Sequence, residues 1–329
     1  MKLTESASGR TLLHLVCLCR GSRWDFHWDA IRHECRNLGS RPIRQRIHIA
    51  VFTTLVLLNG VSLVAAPGVE PSNAAELAAQ KTKPTYDVVA DAKRKAAMSP
   101  DEAAWETVLE QNLGNFYLPI YKKEKLEDKE TAWDFVKDDS KLPRVLLIGD
   151  SISRGYTLVV RHALAGKANV HRAPANCGPT AMGLQKLPVW LGDGKWDVIH
   201  FNFGIHDRLT DDATYAANLE KIIAQLEKTG AKLVWARTTP PASGENKEKF
   251  TAEQCAKVNR IADAIMRKHG IPEDDLYAAV APRLAELQNK NDVHFNDHGY
   301  DILGRQVATK ILEASKSKSD VQAVTGVKF

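Results

Sequence analysis

From residue 142 to residue 314 the chain alternates between short β-rich runs and longer amphipathic stretches, and this alternation constrains the fold more than any other feature. Val145-Leu146-Leu147-Ile148 is an unbroken apolar run, as expected of a strand covered on both faces. The spacing then predicts a helix near 156–165, a strand at 169–172, a helix near 181–191 and a strand at 197–203. A helix at 215–229, a strand at 232–237 and a helix at 251–269 follow. A short extended piece at 275–277, a helix at 281–288 and a last helix from about 297 to 314 complete the series. Such alternation implies an α/β domain, placed at 142–316, with a mainly parallel sheet between two layers of helices. Ligands of such sheets collect beyond the carboxyl ends of the strands, so those loops are the ones to read.

What precedes this domain is different in kind. The chain has 45 Lys+Arg against 40 Asp+Glu, a formal charge of +5. Nine basic and four acidic side chains lie in residues 1–66, so the whole excess sits there and the remainder is neutral. A nucleic-acid-binding body would concentrate Lys and Arg on a folded face, and that reading loses its main support. Residues 49–64, IAVFTTLVLLNGVSLV, are uncharged, preceded by Arg41, Arg44 and Arg46 and followed by Ala65-Ala66-Pro67. Basic flank, short apolar core and small residues at the cut are the layout of a secretory signal. The run is shorter than the roughly 20 apolar residues that usually span a bilayer. Export to the periplasm or outside the cell, without stable membrane insertion after cleavage, is therefore expected. A membrane anchor at the N-terminus is the alternative if the signal is retained.

The 40 residues before this signal exceed what a basic flank needs, and we read 1–66 as a leader whose start is set too far upstream. Cys17, Cys19 and Cys35, with His33, lie there at a spacing that fits no common zinc pattern. Residues 67–98, rich in Ala, Lys and Pro, read as a linker. Residues 99–141 read as a helical extension that opens on Ser99-Pro100-Asp101-Glu102, a cap, a first-turn proline and two acids. Its Trp105, Val108 and Leu109 are expected on one face, packed against the following domain. Residues 317–329 read as a polar tail.

Four strand-end or helix-start loops carry the chemistry. After the first strand comes Gly149-Asp150-Ser151-Ile152-Ser153-Arg154-Gly155. A serine there, beside a glycine and ahead of a helix N-terminus, suits a nucleophile whose substrate develops an oxyanion. A lone Gly-Asp-Ser is also an ordinary turn. No Lys-Ser/Thr follows, so the loop is not a P-loop, and Ser153 stands in place of the second glycine of a Gly-x-Ser-x-Gly elbow. The other segments are Asn176-Cys177-Gly178-Pro179-Thr180, Gly204-Ile205-His206-Asp207 and Asn291-Asp292-Val293-His294-Phe295-Asn296.

Taken in order over roughly 170 residues, these segments resemble the four motif blocks of the SGNH/GDSL hydrolase superfamily. The resemblance implies a flavodoxin-like three-layer α/β sandwich and a serine esterase without a cofactor. It places Ser151 as nucleophile, His294 as general base, and the amides of Ser151 and Gly178 in the oxyanion hole. Cys177 is expected to be a small buried side chain.

Two positions depart from the family pattern. The third block usually reads Gly-x-Asn-Asp, and here His206 replaces the Asn whose amide donates to the oxyanion. An imidazole can donate through one ring nitrogen, and Asn202, of the same strand parity, is another source of an amide. The last block is usually Asp-x-x-His, whereas here Asn291 lies three residues before His294 and Asp292 two. Asp292, Asn291 or a backbone carbonyl could orient the imidazole, and we favour Asp292. A metal reading of Asp292, His294, Asp297 and His298 competes with a structural one, in which Asn296 caps the last helix and Asp297 is its first-turn acid; no metal is expected.

Arg154 and Arg208, near strand-end loops, are candidates for holding an acidic group of a substrate; Arg237 lies near another such loop, and Trp190 and Trp196 flank the second crossover. The expected function is hydrolysis of small O-acyl esters, acetyl groups on carbohydrate first among them. A lysophospholipase-like or lipase-like esterase, an acyltransferase, and a carbohydrate-binding module that has lost hydrolysis are the rivals, the last motivated by His206 and Asn291.

Overall fold

The computed structural model describes residues 86–241 and 249–316. The leader, its cysteines, the signal-like run, residues 67–85 and the polar tail lie outside the described residues. Five strands form one sheet: β1 (Arg144–Ile148), β2 (Asn169–Arg172), β3 (Val198–Phe201), β4 (Lys232–Ala236) and β5 (Glu273–Asp274). Their order is β2-β1-β3-β4-β5 and every pairing is parallel, with Val145 opposite Val170 on one side and Val198 on the other. This is the flavodoxin-like order, and the expected α/β three-layer sandwich is the fold observed.

Strand side chains alternate between two cores, because successive residues of a strand face opposite ways. Leu146, Ile148, Ile199, Phe201 and Trp235 are buried on one face beneath α5 (Thr180–Leu191), α6 (Asp212–Glu227) and α7 (Ala252–His269). On the other face Val145, Leu147, Val198 and Val234 pack against α4 (Ser151–Ala163) and α10 (Asp297–Lys316). The seam between α4 and α10 is tight at one point: a Cβ on Gly155 would lie 2.1 Å from the ring of Tyr300. Only glycine lets the two helices approach so closely, and it is this approach that brings the loop before α10 over the start of α4.

Between β5 and α10 the chain differs from expectation. The strand is Glu273–Asp274, and Asp275, expected to be extended, instead accepts from the Ala278 amide and opens the helix α8 (Leu276–Val280). A 3₁₀ turn (Ala281–Arg283) and α9 (Leu284–Leu287) replace the single helix expected at 281–288.

The linker reading also needs correction. Val88–Ala96 is a helix, α1, capped by Asp87, whose carboxylate accepts from the Val89 and Ala90 amides. It has no apolar stripe to betray it, and Val88 and Val89 are exposed. It is docked by charge: Arg94 pairs with Asp91 and Glu106 (2.6 Å each), and Lys95 with Glu110 (2.7 Å).

The extension proper is helical over α2 (Pro100–Asn112) and α3 (Gly114–Leu126), then irregular up to β1. Ser99 and Glu102 form a reciprocal capping box at the start of α2. The face carrying Trp105 and Leu109 packs within the extension, in a cluster with Leu113, Tyr117, Tyr121 and Trp133. Trp105 Nε1 donates to the Trp133 carbonyl (2.7 Å), which fixes the irregular segment onto the helices. Among the described residues no helix is long and apolar enough to cross a membrane.

Candidate active site

Because all five strands are parallel, their carboxyl ends share one edge of the sheet, and three of the loops read from the sequence emerge there. The first turns directly into α4, with Asp150 as N-cap accepting from the Ile152 amide (2.9 Å) and Ser151 as the first helical residue. Ser151 Oγ and His294 Nε2 lie 2.7 Å apart. His294 Nδ1 lies 2.5 Å from Asp292 Oδ1, and the same carboxylate oxygen accepts from the His294 amide (3.1 Å). Asp292 is thus clamped to the residue whose ring it orients. Asn291, at φ 56°, is exposed in the left-handed conformation that Asn tolerates better than most residues. The contact to the imidazole is made by Asp292.

Both ring nitrogens of His294 are engaged, and the rest of the supposed metal cluster faces elsewhere. Asp297 is exposed in the first turn of α10, and His298 Nε2 meets an Arg283 Nη2 at 3.1 Å. Asn296 accepts from the Gly299 amide (3.0 Å), the capping role expected of it. Among the described residues one carboxylate trio, Asp91, Glu106 and Glu110, has ligand-capable atoms within 4.8 Å of one another. The Lys122 ammonium sits among all three, so the charge that a cation would supply is already present.

The first loop is held from beneath by a residue that the sequence reading passed over. Arg172, at the end of β2, is 1 % exposed, so each of its hydrogen bonds counts. It donates to the carbonyls of Gly149 (3.0 Å) and Asp150 (2.9 Å) and to Ser153 Oγ. In a trans peptide the carbonyl and the following N–H point opposite ways, so holding the Asp150 carbonyl inward aims the Ser151 amide outward. The guanidinium also polarises that peptide, which strengthens its N–H as a donor to negative charge. Arg172 was legible only as an arginine on a buried strand; nothing in the sequence tied it to the loop.

Gly178 has φ 57°, the left-handed region that favours glycine, and a Cβ there would lie 3.1 Å from the Met182 sulfur. Its loop is positioned from the third segment: Asp207 accepts from the Thr180 amide (2.8 Å) and hydroxyl (2.7 Å), capping α5 where Pro179 offers no side-chain bond. Burial pushes the Asp207 carboxyl above the usual range, and these hydrogen bonds pull it part of the way back. Cys177 is fully buried, and that burial pushes its thiol up to about 12, so it is no thiolate at neutral pH.

Of the two candidates for the missing amide, Asn202 is ruled out by geometry. Its Nδ2 donates to the Ala236 carbonyl (2.7 Å) and to Thr238 Oγ1 (3.1 Å), which spends both amide hydrogens on the end of β4. His206, in a 3₁₀ turn (Ile205–Asp207), is 37 % exposed at the side chain, with Nε2 3.9 Å from Asp150 Oδ2. It stands beside the nucleophile loop and keeps access to solvent.

The arginines sort differently from expectation. Arg154 lies against the rings of Tyr117 (5.6 Å) and Trp133 (5.7 Å), both from the extension, and is half-buried. Arg208 turns back onto the Ile205 carbonyl (3.2 Å), and Arg237 is paired with Asp263 and Asp275. Trp190 and Trp196 belong to the core, Trp190 stacked on Phe203. Tyr117, which the sequence reading did not single out, stands edge-on to the Trp133 ring (5.4 Å) beside Arg154.

Comparison with known proteins places this site in context. Residues 147–302 match the GDSL-like Lipase/Acylhydrolase family. Similar solved structures include a lipase/acylhydrolase from Enterococcus faecalis, 24% identical over 52% of this chain and 95% of that one, with a TM-score of 0.47. An acetylxylan esterase from Geobacillus stearothermophilus is 16% identical over 51% and 94%, with a TM-score of 0.44. A GDSL-like lipase from Bacteroides thetaiotaomicron is 17% identical over 59% and 98%, with a TM-score of 0.45. The search of curated proteins found no match.

Proposed function

The chain belongs to the SGNH/GDSL superfamily of ester-hydrolysing enzymes, and from that premise we propose that it is an exported serine esterase that removes small acyl groups, acetyl above all, from carbohydrate hydroxyls. The observation that carries this reading is the hydrogen-bonded line Ser151–His294–Asp292. Serine is a weak nucleophile at its own pKa and needs a base within reach. His294 Nε2 takes the Ser151 proton as Oγ attacks the ester carbonyl, and Asp292 stabilises the imidazolium that results without itself taking the proton. The carbonyl oxygen, now negative, is held by the amides of Ser151 and Gly178 and by a ring N–H of His206. His294 then protonates the leaving alcohol; water attacks the acyl-enzyme by the same route in reverse and frees the acid.

Support for a small, polar ester comes from what surrounds the serine. Asp150, His206 and Arg154 give hydrogen-bonding and charged groups beside the serine loop. Met182, beside Gly178, is the apolar contact at hand for a short acyl group. Support for export comes from the sequence alone, in the basic flank and apolar core of residues 41–66.

Release of acetate from acetylated xylo-oligosaccharides, compared with release of fatty acid from long-chain esters and lysophospholipid, tests the substrate. Faster turnover of the acetylated sugar supports the reading. A preference for the long-chain esters would turn it toward a lipase-like enzyme.

A further inference from the structure

The extension and the sheet domain enclose a cleft that the proposed reaction does not use. Residues 134–138 lie beside the edge strand β2 and are tied down at both ends. Arg161 donates to the carbonyl of Val170 on β2 (3.0 Å) and to those of Thr131 (3.0 Å) and Asp134 (3.3 Å). At the other end Asp138 meets His171 of β2 (2.6 Å) and Arg144 at the head of β1 (2.8 Å). Between this strap and the C-terminal end of α5 lies a cleft of about 690 Å³, walled by Trp105 and Phe135 from the extension and by Val189, Trp190 and Trp196 from the sheet domain. A space of that size suits a ligand of several linked rings, not a single ion.

The lining is mixed in a way that selects the occupant. Four basic and four acidic side chains line the cleft, so no net charge draws an ion into it. Trp105 and Phe135 are half-buried and Val189 is 43 % exposed, which leaves apolar surface open to a ligand among these charged groups. Two donors in the lining have no acceptor among the described residues: Trp190 Nε1, on a residue 2 % exposed, and Arg172 Nε, on one 1 % exposed. Buried donors are almost always paired, so two orphans in the wall of one cleft point to acceptors supplied by a ligand. Apolar C–H faces, hydroxyls that both accept and donate, and no net charge are together what a neutral pyranose sugar offers.

The cleft also has a direction. Arg144 opens β1 and Arg172 ends β2, and the parallel strands carry the catalytic loops at their carboxyl ends. A chain lying along the cleft therefore reaches, at its Arg172 end, the edge of the sheet on which Ser151 stands. There Arg172 donates to the Gly149 and Asp150 carbonyls beneath the nucleophile. We propose that this cleft is a subsite for an uncharged sugar chain, holding residues of the polymer beyond the one whose acyl ester reaches Ser151. This rests on the reading of the substrate as a carbohydrate ester. No bond forms or breaks in the cleft; its contribution is to the binding of a polymer and not to the chemical step. Because Arg161 and Arg144 hold the strap in place through the protein's own groups, binding costs little ordering of the chain.

The test uses the full chain, with Ser151→Ala for binding and Ser151 intact for turnover. Xylohexaose is the probe, titrated by calorimetry and by tryptophan emission, to which the three indoles of the cleft contribute. Val189→Arg, at an exposed position on α5 with no part in the catalytic line, fills the mouth of the cleft. Xylohexaose should bind the Ser151→Ala protein, and about tenfold or more weakly once Val189→Arg is added. With Ser151 intact, Val189→Arg should raise KM for acetylated xylan by about tenfold at unchanged kcat. Turnover of 4-nitrophenyl acetate, too small to occupy the cleft, should stay within about twofold, which also shows that the variant is folded. No binding of xylohexaose, equal binding with and without Val189→Arg, or tighter binding of the anionic hexagalacturonate would overturn the proposal. Xylohexaose binding by a protein that releases no acetate from acetylated xylan would instead remove the carbohydrate-ester reading and leave the sugar site standing.

Discussion

Asp292 and Asn291 adjoin, and one of them touches His294. The Asp292 carboxylate meets Nδ1 at 2.5 Å, while Asn291 is exposed in a left-handed turn. Asp292→Ala should therefore lower kcat by roughly 10²–10⁴ without a comparable change in KM, since the tautomer and the imidazolium both lose their support. Asn291→Gly should leave kcat within about twofold and not reduce stability, because glycine adopts that conformation freely. Steady-state kinetics and thermal melts of the two variants separate the residues. Arg172 is the other residue whose substitution is informative. Arg172→Lys keeps the charge but cannot donate to two carbonyls and Ser153 in one plane, and kcat should fall by about tenfold or more as the Ser151 amide loses its fixed direction.

At the scale of elements, the site depends on two junctions. Asp207 ties the 3₁₀ turn after β3 to the start of α5, and with it the Gly178 amide. Asp207→Ala should cost about 1–2 kcal/mol of stability as the cap is lost, and should reduce kcat more than it reduces substrate binding. Gly155 holds α10 against α4; Gly155→Leu should separate the Tyr300 turn from Ser151 and lower both the melting temperature and kcat.

Much of this architecture was legible. The unbroken Val145–Ile148 run and the repeating helical periods place four of the five strands of the parallel sheet to within about two residues, because buried parallel strands and amphipathic helices have distinct periods; the two-residue fifth strand, Glu273–Asp274, is too short to show one. The pairing of Ser151 with His294, which the structure brings to 2.7 Å, was legible from the order of the motif segments. Three things were not. The α1 helix has no apolar face and is attached by ion pairs. Asn202 had the right strand parity but is consumed by Ala236 and Thr238, a partnership that depends on how β4 ends. Arg172 reaches the Gly149–Asp150 turn from the end of β2, with no local pattern to announce it.

For the whole molecule, the three helices of the extension are joined to one another by charge as well as packing. Lys122 is buried among Asp91, Glu106 and Glu110, and three further partners, Arg94, Lys95 and Tyr121, complete the network. Burial alone would pull the Lys122 ammonium down, but its hydrogen bonds to these carboxylates carry it above its usual value, so it stays charged. Lys122→Met would leave buried carboxylates uncompensated, and a loss of about 3–5 kcal/mol is expected in denaturant melts.

Stability should also vary with pH at a separate place. His269 is raised above its usual value by hydrogen bonds to Glu220 and Glu227, although partial burial opposes the shift. A base raised on folding stabilises fully below its unfolded value and loses that contribution as pH rises through the folded one. The melting temperature should thus decline from about pH 6.5 upward, and His269→Gln should flatten that decline.

In the proposed reaction Ser151 is a nucleophile activated by His294. Exposure of the intact protein to a serine-reactive organophosphate, followed by peptide mass analysis, tests it most directly. One adduct is expected, on Ser151, formed at least 100-fold more slowly in His294→Ala. An adduct on another residue, or equal labelling of Ser151 with and without His294, would contradict it.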